Sequence, residues 1–486
     1  MAIELPRSRV RAPELSGGEG WLNTGRPLAL AGLRGKVVIL DFWTYCCINC
    51  MHVLPDLKRL ERKHRDTLVV IGVHSAKFTN EGESAHIREA IARYEIEHPV
   101  VNDRRFAIWQ AYAVRAWPTL IVIDPAGYVV GTVAGEGHGA LLDEIVQTLI
   151  DEGRASGTLA PRPGPVAPAT ELPASLLHYP GKIVVDEPSG RVFIADSNHN
   201  RIVVAAVDGQ ITRVIGTGHA GADDGDLGRA TLNHPQGMAV DEDVLYVADT
   251  DNHLVRAVDL ERGVVETLAG TGEQGRGAGS EAGAARTTSL NSPWDLALAD
   301  GRLFIAMAGL HQVWVLDPGT REIGPYAGTG REAREDGVRG EAALAQPSGI
   351  TGDDRYLYVA DSETSSIRAI DRRSDRVDTI VGRDLFEFGD VDGVGDEVRL
   401  QHPLGVTAWK GLLYVADTYN HKVKVIDPVT RRCSTLAGTG EADVFFEPGG
   451  LSVGLGWLWV ADTNHHAVQV VDLTTGASRA LPLSPL

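Results

Sequence analysis

The sequence predicts a multidomain chain, an α/β unit followed by an all-β propeller, and three observations predict it. A Cys-x-x-Cys, Cys47 to Cys50, stands where an apolar strand gives way to a helical pattern. A run of prolines at 161, 163, 165, 168 and 173, set among Ala, Gly, Thr and Ser, interrupts the chain as a semi-rigid linker does. Beyond it one strand-like phrase recurs in six copies, about 45–58 residues apart, the length of a four-stranded blade. The predicted boundaries are 1–157 for the α/β domain, 158–174 for the linker and 175–486 for the propeller.

Residues 1–35 read as an irregular lead-in with a short strand near Gly20-Trp21-Leu22-Asn23. Lys36–Leu40 is apolar and strand-like, and Val53, Leu54, Leu57 and Leu60 then form one helical stripe. A second buried strand, Thr67–His74, precedes a charged helix, Glu83–Glu97. His98–Asp103 is a short strand and Phe106–Tyr112 a helical turn. Leu120–Asp124 and Tyr128–Ala134 form a hairpin through Pro125-Ala126-Gly127, and a last amphipathic helix, Ala140–Glu152, is expected to stop at Gly153. The order is β-α-β-α-β-α-β-β-α.

The spacing of Cys47 and Cys50 points to thiol–disulfide chemistry. Cys47 falls at the helix N-terminus, where unpaired amides and the positive dipole end favour thiolate over thiol. Cys50 lies one turn later on the same face, within bonding reach, and can resolve a mixed disulfide. Cys46 leaves three readings open: quiet packing, a second partner for Cys47, or a thiolate metal site, for which no fourth ligand is evident nearby. No metal and no cofactor is expected.

The stretch Asp41-Phe42-Trp43-Thr44-Tyr45-Cys46-Cys47-Ile48-Asn49-Cys50 resembles the thioredoxin fold. Asp41, six residues before Cys47, matches the buried proton-accepting acid of that fold, and Pro55, five after Cys50, matches its helix proline. Trp117-Pro118-Thr119 precedes an apolar strand, so Pro118 resembles the cis-proline that faces the dithiol, its missing N–H leaving an edge open to a substrate backbone. The resemblance implies a catalytic set of Cys47, Cys50, Asp41 and Pro118, with Cys46 an auxiliary thiol and Trp43, Tyr45, Trp117 and Thr119 as substrate contacts. Two features depart from it: Ile48-Asn49 replaces Gly-Pro between the cysteines, and Cys46 replaces the usual aromatic residue. Thr44 gives the Thr-x-x-Cys spacing of peroxiredoxins, yet Leu40 stands where that class carries a proline.

The repeated phrases are Val192–Asp196, Leu245–Asp249, Leu303–Met307, Leu357–Asp361, Leu413–Asp417 and Leu458–Asp462. Four residues after the aspartate comes His253, His421 or His466, and His311 keeps the place although its aspartate is Met307. Many blades close on Ala-Gly-Thr-Gly, as at Ala269–Gly272, Ala327–Gly330 and Ala437–Gly440, and open on Pro-x-Gly, as at Pro235, Pro347 and Pro403. These phrases resemble the NHL repeat, and six copies imply a six-bladed propeller whose closing strand is open. A residue needed once per blade serves turn amides and blade packing, so the aspartates and histidines are expected to be structural. Asp390-Val391-Asp392-Gly393 has the look of a calcium loop, but Asp223-Asp224-Gly225 and Glu335-Asp336-Gly337 hold the same place, which favours an Asp-Gly turn. Together the two domains resemble the family of NHL repeat-containing protein 2, as a bacterial-type member.

No run of 18 apolar residues exists and Met1–Arg11 lacks an apolar core, so neither a membrane helix nor a secretory signal is expected. Residues 1–170 hold 19 basic and 19 acidic residues, whereas the remainder holds 27 against 46, a net of −19. That acidity excludes nucleic acid as a partner, because phosphate binding relies on clustered Lys and Arg. Four cysteines, three in one motif, suggest no disulfide framework and a cytoplasmic setting. The expected function is thiol–disulfide exchange with a protein client, the propeller acting as binding platform. A non-catalytic scaffold and a peroxiredoxin-like peroxidase are the alternatives.

Overall fold

The computed structural model describes residues 10–162, 164, 175–276 and 282–486. The chain divides into two compact units, Met1–Pro173 and Ala174–Leu486. Prolines 163, 165, 168 and 173 of the expected linker lie outside the described residues. Its first residues are no spacer. Ala160 N donates to Gly35 O at 2.9 Å and Arg162 N to Asp66 O at 3.0 Å, so the chain stays on the first domain five residues past the predicted end at 157.

That domain is a sheet of strands β1 (Val10–Arg11), β2 (Gly20–Leu22), β3 (Val37–Trp43), β4 (Leu68–His74), β5 (Val100–Asn102), β6 (Thr119–Ile123) and β7 (Tyr128–Ala134). They lie in the order β1-β7-β6-β3-β4-β5-β2. β3 pairs parallel with β4 and antiparallel with β6, so it is central. Its two faces feed two cores: Val37 and Ile39 meet Val53, Leu57 and Leu60, while Val38, Leu40 and Phe42 meet Ile108 and Leu30. A strand buried on both faces reads as an unbroken apolar run, which is why the sequence exposes it so clearly. The lead-in yields two edge strands where one was expected, β1 on β7 and β2 on β5.

The helices are α1 (Ile48–Lys63), α2 (Ser84–Arg93), α3 (Ala107–Ala111) and α4 (Gly139–Ser156). α4 runs past the predicted stop at Gly153 and ends at Gly157, whose φ of +70° is the left-handed cap. Gly153 is there for closeness: a Cβ would sit 3.2 Å from both Leu159 and Pro125. On α1, Val53, Leu57 and Leu60 are buried as expected, with Leu54 half-buried at the margin.

The second unit is a six-bladed propeller. The blades begin with the strands Pro180–Asp186, Pro235–Asp241, Pro293–Ala299, Pro347–Gly352, Gly405–Trp409 and Pro448–Gly454. Each continues through three more antiparallel strands, the last blade closing on Ser478–Ala480. Within a blade the phrase-ending aspartate accepts a backbone N–H: Asp249 from Asn233, Asp361 from Ala345, Asp417 from Gln401 and Asp462 from Phe446, all at 2.7 Å. Four residues on, the chain turns left-handed at Asn200, His253, His311, Ser365, His421 and His466, with φ between 49° and 54°. That conformation favours Asn and His among non-glycines. Each of these side chains accepts a backbone N–H from the next blade, as His253 Nδ1 does from Ser292 and His421 Nδ1 from Glu447. The repeated residues therefore staple blade to blade.

The same staple shuts the ring, for Tyr179 N donates to His466 Nδ1 at 3.0 Å and Thr463 Oγ1 to Pro180 O at 2.9 Å. The last residues then return to blade 1, with Ile211 N donating to Ser484 O and Ser484 N to Gly209 O, both at 3.0 Å. Blade 3 shows how the pattern is exchanged as a unit. In blades 2 and 4 the aspartate pairs with a buried arginine, Asp249 with Arg256 at 2.7 Å and Asp361 with Arg368 at 3.1 Å. Blade 3 carries Met307 and Trp314 instead, both fully buried. Replacing both partners by apolar groups strands no buried charge.

One side chain crosses the ring. Lys182, buried in blade 1, donates from Nζ to Asp295 Oδ2 of blade 3 at 3.3 Å, to Ser348 O of blade 4 at 2.8 Å and to Leu404 O of blade 5. Lys182 and Asp295 occupy the third position of the Pro-x-Gly opening, where the other blades carry glycine. At Gly450 a Cβ would meet Lys182 Cδ at 2.8 Å. The small residues thus make room for one ion pair at the axis.

Candidate functional site

The dithiol is set by the join of β3 to α1. Cys47 is the N-cap of α1 with extended φ and ψ of −83° and 114°, and its carbonyl accepts from Cys50 N at 3.0 Å and Met51 N at 3.2 Å. Cys47 is half-exposed, whereas Cys46 and Cys50 are buried, and all are free thiols. Burial, then the adjacent Cys47, pushes the Cys50 thiol well above its ordinary value. The two sulfurs are therefore unlike: one reaches solvent at a helix N-terminus, and the other is buried and holds its proton.

Asp41 is the buried carboxylate on β3. It is 1 % exposed, and neither carboxylate oxygen has a hydrogen-bond partner among the described residues. Burial pushes its carboxyl up to about 7, with His98 pulling it down and Glu61 pushing it up. The Trp117–Pro118 bond is cis, as the sequence predicts, and Pro118 is buried ahead of β6.

The expected substrate contacts separate. Trp117 is half-exposed and packs on Trp109, ring centroids 4.7 Å apart, and on Phe106 at 6.1 Å. Phe106 and Trp109 are thus part of an aromatic surface beside Pro118 that the motif did not reveal. Trp43 and Tyr45 do not belong to it. Each is 1 % exposed and packs on His74, Trp43 edge-on at 4.9 Å and Tyr45 stacked at 5.5 Å. Thr119 is 4 % exposed and its hydroxyl donates to Ala116 O at 2.7 Å. These three are walls of the site, because buried side chains present no surface to a client.

Glu81, fully buried in the turn before α2, holds the loop ahead of the dithiol. Oε2 accepts from Thr44 Oγ1 at 2.8 Å, Phe78 N at 2.9 Å and Lys77 N at 3.1 Å, while Oε1 accepts from Cys46 N at 2.8 Å. Cys46 Sγ points to Thr44 Oγ1 at 3.8 Å inside this network. Thr44 therefore serves the loop, which removes the support its spacing gave to a peroxidase. No side-chain group of three or more suited to a metal occurs among the described residues. Glu81→Ala would leave several buried donors unmatched and is expected to lower stability by about 3 kcal/mol. Thermal unfolding checks this, and Glu81→Gln, which keeps one acceptor, should lose less.

In the propeller the calcium-like loop is occupied by cations of its own blade. Lys424 Nζ, 1 % exposed, donates to Asp390 at 2.6 Å and Asp392 at 2.7 Å. Asp224 and Asp336 receive Arg256 and Arg368 in the same way, at 2.9 and 2.8 Å. The carboxylates neutralise buried cations, a role that spacing alone cannot show. Cys433 is a buried strand residue whose thiol burial pushes up to about 12.

A Cys-x-x-Cys at a strand-to-helix join beside a cis-proline, followed by a ring of six blades, defines a thioredoxin-like domain fused to an NHL-repeat propeller. The Thioredoxin-like family matches residues 35–129, and the NHL repeat matches 177–205, 232–257 and 400–426. The chain is 45% identical to NHL repeat-containing protein 2 of Bos taurus, over 88% of this chain and 64% of that protein. It is 44% identical to Protein SUPPRESSOR OF QUENCHING 1, chloroplastic, of Arabidopsis thaliana, over 90% of this chain and 44% of the relative. It is 26% identical to Thiol-disulfide oxidoreductase YkuV of Bacillus subtilis, over 30% of this chain and 97% of that one. The chain belongs to the family of NHL repeat-containing protein 2 and spans just under two thirds of the length of those relatives. No described helix is long and apolar enough to cross a membrane.

Proposed function

We propose that the protein exchanges thiols for disulfides with a protein client. Cys47 attacks a client disulfide, and one client sulfur leaves as a thiolate that takes a proton from water. Asp41 then takes the proton of Cys50, whose thiolate attacks Cys47 Sγ. The Cys47–Cys50 bond forms as the bond from Cys47 to the client breaks; the client is reduced and the dithiol oxidised. Pro118 and the Trp117 surface hold the client's extended backbone. The acidic propeller is the docking platform, suited to a neutral or basic client. A cytoplasmic setting is part of the proposal, resting on the sparse, unpaired cysteines.

The observation that carries this reading is the pairing of a half-exposed cysteine at a helix cap with a buried partner above an unpartnered buried carboxylate. Perturbed groups of this kind gather where chemistry needs them. The test uses an unfolded, disulfide-bonded protein as probe. Cys50→Ser is expected to accumulate a mixed disulfide through Cys47, visible by mass spectrometry, and Cys47→Ser to form none. Equal trapping by both variants would contradict the assignment.

A further inference from the structure

Asp41 has no direct path to water, and a base that takes a proton on each turnover has to lose it again. The polar atoms left without hydrogen-bond partners around it mark a path. Among the described residues these include, beside the two Asp41 oxygens, Trp43 Nε1 and His98 Nε2, all buried, and both ring nitrogens of His74, which packs on Trp43. Trp43 Nε1 and His98 Nε2 converge on one gap in the sheet. Asp41 lies opposite Gly72 in the parallel pair β3–β4, so both face the α1 side. A Cβ on Gly72 would lie 2.9 Å from Trp43 Nε1 and 3.5 Å from His98 Nε2. The bare glycine is what lets the indole and the imidazole reach in over the strand position opposite Asp41. An acid, an N–H donor and an imidazole nitrogen are also a suitable set to hold one bridging water.

His98 has a second face. Its Nδ1 lies 3.3 Å from Glu61 Oε2, and Glu61, on the solvent edge of α1, is 22 % exposed where His98 is 3 %. Glu61 stands eleven residues after Cys50, about 16 Å along a helix axis. We infer that His98 and Glu61 form a proton exit for Asp41, opening to solvent far along α1 from the dithiol. The proton taken from Cys50 passes from Asp41 to His98 Nε2, the Nδ1 proton passes to Glu61, and Glu61 gives it to water. No electron moves in this step. Its use follows from geometry: Asp41 is buried beneath the face where a client would seat over Cys47 and Pro118, whereas Glu61, further along α1, keeps its contact with solvent.

This inference rests on the exchange reading above, and the test separates the two. The full chain, His98→Gln and Glu61→Gln are compared in single-turnover reduction of insulin, with alkylation of Cys47 by iodoacetamide read in parallel. Both variants are expected to resolve the mixed disulfide about tenfold more slowly, a fraction of what proton transfer contributes. Cys47 alkylation should stay at the parental rate. In an Asp41→Asn background, His98→Gln should cause no further slowing, which a merely structural role would not produce. Resolution at the parental rate in both variants overturns the exit, as does slowing that persists without Asp41. Failure of the parent chain to reduce insulin overturns the exchange reading, and the exit with it. Glu61→Gln, at the surface, keeps the test open should His98→Gln unfold.

Discussion

At pH 8, Asp41→Asn is expected to be more stable than the parent protein by about 4 kcal/mol, and at pH 4 to show almost no gain. The carboxyl titrates near 7 in the fold against an ordinary value of 3.8, and each unit corresponds to about 1.4 kcal/mol. Between those values the folded state holds the proton more tightly than the open chain. Stability therefore falls as pH rises through that window and levels off above it. The groups facing the carboxyl, Cys50 from α1, His98 from the segment before β5 and Glu61, remain in the variant, so the difference reports the carboxyl alone. The same substitution should slow resolution of a mixed disulfide about a hundredfold. A residue that weakens the fold while speeding the reaction is kept for the reaction. Chemical unfolding at several pH values checks the first part, and a flat difference between pH 4 and 8 would contradict it.

Lys182→Met is expected to destabilise the propeller by about 3–5 kcal/mol, because it leaves the buried carboxylate of Asp295 without its cation. Burial pulls the Lys182 ammonium down and pushes the Asp295 carboxyl up, and each is offset by the other. Asp295→Asn alone should also weaken the ring, since the ammonium keeps only the carbonyls of Ser348 and Leu404. The double variant, Lys182→Met with Asp295→Asn, is expected to recover most of the loss, as removing both charges removes the cost of stranding one. Calorimetry reads all three, and additive losses in the double variant would show that the pair is not coupled.

What the sequence made legible follows from the range over which each constraint acts. The strand–dithiol–helix join, the proline before β6 and the six blade phrases are local demands on backbone shape or burial, so a few adjacent residues declare them. Met307 could be read as a missing aspartate, but Trp314 as its compensation needed the paired strands. Glu81, distant from Cys46 in the chain yet bonded to it, leaves no local mark. The same holds for His98 with Glu61 and for Lys182 with Asp295, each pair brought together by topology. Trp43 and Tyr45 misled for the opposite reason: the resemblance implied contact with a client, while Trp43 at the end of β3 and Tyr45 in the turn after it both pack inward onto His74. At α4 two glycines competed for the helix end, and only the backbone shows that Gly157 caps while Gly153 packs.

The central claim is that Cys47 and Cys50 form a working couple, and its most direct test is their reduction potential. Titration in redox buffers with mass-spectrometric thiol counting is expected to show a reversible two-electron couple between Cys47 and Cys50 at about −200 to −270 mV, the span of thioredoxins and glutaredoxins. The couple should persist in Cys46→Ser. Absence of a Cys47–Cys50 disulfide at every poise would contradict the account and leave the domain a binding module.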